Sequence, residues 1–488
     1  MLAFDRQLAW ILQQRNLIMK PTHASILSGL AQEIIDNIID WCSSPRDLKI
    51  LKSCALVCRA FLPRSQRHIF ASIRMPCALQ QGKIRTGGRQ IDELYDILKR
   101  SPHIAGYVRE IRLVVKDHDS WSAGNPKFEW IMDQLTGNAV FDRFHFDGHL
   151  STDKVMIAPD HFQSFEQCFS QRYIVPFIRT LKLYRVKNVP ISLLASSSRL
   201  RKLSLIRTTL GDIETWKPTL NNTTLPKLHE IYLHRCTDAV AALLGNPQNG
   251  SPPLLDLSHL YTLSVSQDSL EDIRCAIRVI EVTSRSLRQI NLTHRNSNGM
   301  SHFFFFFSSI IINLRTKKVY VPLAGLLNLA TIPHLRALRL DTVCGDKAAL
   351  ADFDSILSTV QPTHKITKVR IRVHMSDRTQ MSAKDALDAG CAALDSTMTK
   401  LHRGKPISFD LHFYFPRPSR IVVSKRKRAL AEIGDMGKSE FSQMVLGKFP
   451  LATMLPGVTI AVTHQKDIPK GALRSVTNFL RRIREIVR

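Results

Sequence analysis

Three histidines and three aspartates make the best case for chemistry in this sequence. His145, His149 and His161 stand close to Asp142, Asp147 and Asp160. Imidazoles beside carboxylates are the raw material of metal sites and of acid–base pairs. None of the 18 histidines, however, combines with Cys or carboxylates in a metal-ligand spacing. The cluster therefore reads as a surface loop of mixed charge. The nine cysteines are scattered singly, and the nearest two, Cys54 and Cys58, share one helical stretch. No Cys-x-x-Cys pair occurs, which points to buried reduced thiols rather than a disulfide framework or a zinc site. There is no P-loop, GxGxxG, HExxH or GxSxG. Nothing nominates a nucleophile with a base and an orienter, so the expectation is a binding protein with no catalytic residue, cofactor or metal.

The remaining chemistry is electrostatic. Lys and Arg number 68 against 41 Asp and Glu, a net charge of +27. Such a balance favours contact with polyanions, although a basic, solvated surface is the plainer alternative. The charge is spread over the body and the tail. No acidic residue falls between Gln167 and Gly211, a window that holds Arg179, Lys182, Arg185 and Lys202. Lys425, Arg426, Lys427 and Arg428 read either as a nuclear import signal or as a solvated helix start. The first 20 residues carry Asp5, Arg6 and Arg15 among their apolar positions, which makes a poor signal peptide. The longest apolar run, 303–314, falls short of the ~20 residues of a membrane span. The expected location is cytoplasmic, nuclear or both, with no membrane contact.

The elements that would position a binding surface begin near Ser25. Leu30, Ile34, Ile35, Ile38 and Ile39 step along what reads as one face of a helix, with Ser28 as a cap. Ser44, Pro45 and Asp47 mark a second helix start, followed by Leu48 and Leu51. A third apolar stretch, 54–62, ends near Pro63, and a basic segment, 64–70, follows it.

The strings LAQEIIDNII (30–39), Asp47-Leu48, LVCRAF (56–61) and LPRSQRHIF (62–70) resemble the F-box, in particular that of fungal F-box proteins. The resemblance implies a three-helix motif that docks on the Skp-type adaptor of a cullin-based ubiquitin ligase, the SCF complex. It assigns Leu30, Ile34, Ile35, Ile38, Leu48, Leu56, Val57, Cys58 and Phe61 to the apolar positions that form the motif's core or meet the adaptor. Ala31 replaces the proline usual after the first leucine, which leaves helix entry less constrained.

Beyond a connector at 75–89 and a helix near 92–99, the chain repeats a unit of apolar, two spacers, apolar, one spacer, apolar. Nine units begin at Val108, Phe141, Ile178, Leu200, Leu228, Leu260, Leu287, Leu335 and Ile366. Their intervals are 33, 37, 22, 28, 32, 27, 48 and 31 residues, close to the ~20–29 of leucine-rich repeats or somewhat longer. In a strand the outer pair of such a unit points into the core and the residue between them points away. Stacked strands then place Arg112, His145, Lys182, Ser204, Tyr232, Ser264, Asn291, Arg339 and Arg370 on one concave face. The pattern resembles the leucine-rich-repeat class of F-box proteins. Of the ladder positions after each strand, only Cys236 and Thr208 fit the consensus, so the array should be irregular. An ordinary α/β domain with a parallel sheet is the alternative.

The 48-residue interval contains five consecutive phenylalanines at 303–307. Residues 299–324 read as an insert or as a translated intron. Downstream, Leu387, Cys391, Leu394 and Met398 space a helix, Phe409 to Phe415 alternate as a strand, and 458–462 reads as another.

The expected organisation is α/β: an extension (1–25), the F-box-like motif (26–72), a helical connector (73–103), an irregular leucine-rich-repeat-like solenoid (104–420) and a basic C-terminal region (421–488) that forms a terminal repeat or cap. The expected role is substrate adaptor of an SCF ligase in ubiquitin-dependent degradation, with an acidic or phosphorylated protein target on Arg112, His145, Lys182, Tyr232, Asn291, Arg339 and Arg370. The alternatives are a basic nucleic-acid-associated protein, the less favoured, and an F-box scaffold without a degradation role.

Overall fold

The computed structural model describes residues 31–43, 48–57, 59–76, 87–116, 125–138, 140–149, 155–156, 165–211, 225–245, 253–267, 269–294, 325–344, 348–361, 363–375, 383–404, 406–415 and 438–464. Leu30, Cys58, the 44–47 helix start, Asp160, His161, the 299–324 interval and the 425–428 basic cluster lie outside them. Two compact units divide the chain. The first holds Met1–Leu200 and Arg207–Pro226, the second Arg201–Ile206 and Lys227–Ile468.

The described residues of the first unit begin with three short helices, α1 (Gln32–Cys42), α2 (Leu48–Ala55) and α3 (Leu62–Ile69). Adjacent helical residues lie ~100° apart, so the isoleucine pairs 34/35 and 38/39 cannot share one face. Ile35, Ile39 and Cys42 turn inward and are buried with Leu51, Cys54 and Phe61. The expected third helix ending at Pro63 is corrected: α2 stops at Ala55, and α3 starts at Leu62 with Pro63 in its first turn. Proline needs no N–H partner there, so it starts this helix rather than ending one. Asp40 of α1 ties α3 back. Arg64 donates to both its oxygens at 2.7 and 2.5 Å, and His68 Nε2 lies 2.7 Å from Oδ1. Those partners, Arg64 foremost, hold the Asp40 carboxyl at about 2 against the opposing effect of burial.

A parallel sheet follows, made of β1 (Ser72–Pro76), β2 (Glu110–Lys116), β3 (Arg143–His149) and, past the two-residue β4 (Val155–Met156), β5 (Thr180–Tyr184). β4 pairs separately with β6 (Val186–Lys187). The connections include α4 (Gly87–Arg100), α5 (Pro126–Thr136), a π-helix at Phe165–Ile174 and α6 (Ile191–Ala195). Asn125 caps α5 by accepting from Lys127 and Phe128 N–H at 3.0 and 3.2 Å, with Pro126 next to it. Phe169 fills the space beneath the sheet, 5.7 Å from Phe128 and 5.8 Å from Phe144 between ring centroids.

The second unit holds eight parallel strands in chain order: β7 (Lys202–Ile206), β8 (Glu230–His234), β9 (Thr262–Gln267), β10 (Gln289–His294), β11 (Ala337–Cys344), β12 (Lys368–Met375), β13 (Ser408–Phe415) and β14 (Val458–His464). Between them run α7 (Thr237–Leu244), α8 (Leu270–Thr283), α9 (Ala348–Ser358), α10 (Ala383–Gly404) and α11 (Lys438–Gly447).

All nine repeat units became strands. The first apolar residue of each, from Val108 to Ile366, is at most 2% exposed, and the outer pairs are buried as alternation requires. The residue before a strand also binds the next repeat: the Arg288 carbonyl accepts from Arg336 and Ala337 N–H at 2.8 and 3.0 Å. Thr208, one of the two expected ladder positions, is fully buried and donates to the Leu183 carbonyl at 3.1 Å. β1 lies where the chain reads as the approach to a polar connector. Its Phe70, Ile73 and Met75 repeat the unit's spacing and are buried. Among the described residues no helix is long and apolar enough to cross a membrane.

Candidate protein-interaction faces

The helical motif has a second apolar side. Ile34, Ile38 and Trp41 follow one another at four and three residues, one turn apart on α1, on a stripe ~100° round the helix from the buried Ile35, Ile39 and Cys42. Ile34 is 48% exposed and Trp41 91%, and Leu48 at the start of α2 is 41% exposed. Of the other expected motif residues, Ile35 and Phe61 lie in the core, while Ile38, Leu56 and Val57 are half-buried. Trp41 was not among the expected residues. Its place seven beyond Ile34 is the signal that finds it.

On the sheets, the residues between the outer apolar pairs fall into register rows. In the first unit Arg74, Arg112, His145 and Lys182 are successive partners across β1, β2, β3 and β5. In the second unit the row runs Ser204, Tyr232, Ser264, Asn291, Arg339, Arg370, Asp410 and Thr459. Every expected face residue is thus in its row, and Arg74, Asp410 and Thr459 extend the rows beyond the expectation.

The charge on these rows is not what the composition suggests. Arg112 donates to Asp147 through Nε at 3.0 Å and through Nη2 as well, and Lys182 Nζ lies 3.9 Å from Glu110. Arg339 grips Asp341 with its closest contact at 2.7 Å, and Arg370 donates to Asp410 at 2.6 Å. Burial works to raise the Asp410 carboxyl, but the Arg370 hydrogen bond and the His412 charge hold it low. Asn291 donates to Ser264 at 2.8 Å. These cations are largely neutralised by carboxylates on their own strand or one or two strands away. The mixed-charge loop is corrected at the same place: His145 and Asp147 sit on β3, with Asp147 4% exposed. Alternation of polar residues with Phe144 and Phe146 made a strand look like a polar loop. Burial first, then the charges of Arg112, Lys182 and Arg74, pull the His145 imidazole down to about 3, so it is neutral at ordinary pH. Among the described residues no group of three or more His, Cys, Asp or Glu could hold a metal ion.

The sheets resemble a leucine-rich-repeat array. No protein family and no curated protein matches the chain. Among solved structures, an internalin from Listeria monocytogenes aligns over 80% of this chain and 92% of its own, at 11% identity and a TM-score of 0.25. The repeat architecture itself is carried by the strand register and burial.

The second unit has one more concave feature, away from the rows. At the starting ends of its strands a pocket of about 510 Å³ is lined by His229, His259, Tyr261, Arg288, His334, Arg336 and Lys365, with Arg285 beside them. His229, Tyr261, Arg288 and Arg336 each immediately precede a strand, at the residue after the unit's first apolar position. That position recurs in the repeat and is legible in the sequence, one residue after each unit's first apolar position.

Proposed function

We propose that this protein is a substrate-recruiting subunit of an SCF-type ubiquitin ligase, acting by binding alone. The observation that carries the reading is the outward apolar side of α1. A helix that buries Ile35 and Ile39 along one stripe and leaves Ile34 and Trp41 exposed along another has apolar surface to spare. Such a surface on a small helical motif suits a protein partner. The F-box resemblance of the same residues names the Skp-type adaptor as that partner. The parallel sheets supply polar, hydrogen-bonding rows suited to a protein target, which other subunits would modify while it is held close. The nucleic-acid alternative draws less support, because Arg112, Arg339 and Arg370 of the sheet rows are paired with carboxylates.

The test is the affinity of the full chain for the SCF adaptor, beside an Ile34→Asp, Ile38→Asp variant. The expected result is binding by the parent chain and a loss of at least about tenfold in the variant, the scale of a desolvated apolar anchor. An intact chain that fails to bind the adaptor removes the SCF reading.

A further inference from the structure

We infer that the pocket at the strand-starting rim of the second unit binds a phosphorylated segment of the protein partner, an inference that rests on the proposed protein-capturing role.

The argument begins with charge that has no counterion. Arg285, Arg288, Arg336 and Lys365 are all exposed and line one pocket. None of the four makes an ion pair with a carboxylate among the described residues. The contrast is with the sheet rows, where Arg112, Arg339 and Arg370 each have an acid in hand. Lys365 Nζ does have a neighbour, the Nδ1 of His334 at 3.1 Å. That neighbour is an imidazole and not a carboxylate, so it supplies no negative charge to cancel the cation. Of the acids beside the lining residues, Glu230 is occupied by Lys202 at 2.7 Å and by the Tyr261 hydroxyl at 3.3 Å, and Asp256 accepts from the Ser258 N–H and hydroxyl at 2.9 and 2.6 Å.

The rim geometry suits an oxyanion held by side chains. Arg288 and Arg336 precede neighbouring strands, and Gln289 and Ala337 are register partners. Neighbouring strands lie ~4.8 Å apart, so two guanidinium groups rise side by side. Guanidinium forks pair with phosphate through two parallel N–H donors, and arginine clusters are a recurrent means of reading phosphorylated segments. The backbone N–H groups at the two arginines are already engaged. Arg288 and Gln289 N–H both go to the Tyr261 carbonyl, and Arg336 and Ala337 N–H to that of Arg288. Ser286 is likewise spent on the Leu260 and Thr283 carbonyls at 2.9 and 3.1 Å.

A peptide fits better than a nucleic acid strand. Single-stranded nucleic acid needs a basic groove with aromatic platforms along it. The pocket's only aromatic ring besides its imidazoles is Tyr261, already set against His229 at 5.3 Å between centroids. The cations cluster within a volume suited to one or two phosphate groups rather than a long strand.

The experiment uses the full chain and a degenerate peptide library with one fixed phosphoserine, beside the same library with serine. Tripolyphosphate and a single-stranded oligonucleotide serve as competitors, and adaptor affinity is measured in parallel. The phosphorylated library should bind about tenfold more tightly than the unphosphorylated one. An Arg288→Gln, Arg336→Gln variant should lose that preference, while Arg274→Gln, on α8 outside rows and pocket, keeps it. All three proteins should bind the adaptor alike, so a failed pocket is distinguishable from a failed SCF role. Equal binding of the two libraries, or a preference that survives the double variant, overturns the inference. An oligonucleotide that outcompetes the phosphopeptides replaces the peptide with nucleic acid. Tripolyphosphate that binds more tightly than any peptide replaces it with a small anion.

Discussion

His145 sits between Arg112 and Lys182 on neighbouring strands and is held near 3, mainly by burial. A histidine whose folded value lies below its unfolded value takes up its proton more readily when the chain unfolds. Its contribution to stability is therefore complete above ~6.5 and is lost as pH falls from there toward 3. At pH 5 the loss should amount to about 2 kcal/mol relative to pH 7.5. A His145→Gln variant lacks the group, so its urea midpoint should decline less over that interval than the parent's. Parallel declines would remove His145 as the cause. The imidazole is an acid-sensitive part of the sheet face and is uncharged at neutral pH.

Helix α10 approaches α9 at Gly390, where an added Cβ would lie 2.5 Å from the Leu350 Cβ and 3.0 Å from the Ala351 nitrogen. Both contacts are on or near backbone and cannot yield without moving a helix. Gly390→Ala should cost about 1–3 kcal/mol, read from urea unfolding, despite alanine's better helix propensity. Further along α10, Asp395 is 3% exposed and accepts from Leu451 and Ala452 N–H at 3.1 and 2.7 Å. Asp395→Ala leaves those donors unmet and should cost about 1–3 kcal/mol by the same measurement. A cost near zero in either variant would mean that α10 repacks freely.

At this scale the strands were the legible part of the sequence. The unit's three apolar positions have distinct burial roles, so Leu335, Leu338 and Leu340 announce both strand and facing. Less legible was whatever depended on pairing between distant residues. Asp147, Asp341 and Asp410 neutralise arginines through strand register and rotamer, which composition does not contain. The two apolar stripes of α1 are written in the sequence, but neighbouring isoleucines blur a 3.6-residue period, so Ile34, Ile35, Ile38 and Ile39 resemble one stripe. Pro63 misled for a related reason: proline ends some helices and starts others, and only the packing of Ile69 and the Asp40–Arg64 bond show which. The 48-residue interval lies between β10 and β11, which pair flush from Gln289–Ala337 onward. Removing 299–324 leaves a connection of about the length of that between β5 and β7. The expected result is an unchanged unfolding midpoint, and a transcript that skips the segment would explain its composition.

For the molecule as a whole, a charge of +27 says how strongly it meets polyanions but not where. The pairing pattern adds the location. Heparin retention should fall for the Arg288→Gln, Arg336→Gln variant and barely change for an Arg339→Gln, Arg370→Gln variant, although both remove two charges. Equal shifts would mean that only total charge matters. The central claim is the partner on α1, and hydrogen exchange of the full chain with and without the SCF adaptor tests it most directly. The account predicts slowed exchange across Gln32–Cys42 and Leu48–Ala55 on adding the adaptor, with β8 to β12 unchanged. Exchange that stays the same in those two helices, or slows only in the strands, would contradict it.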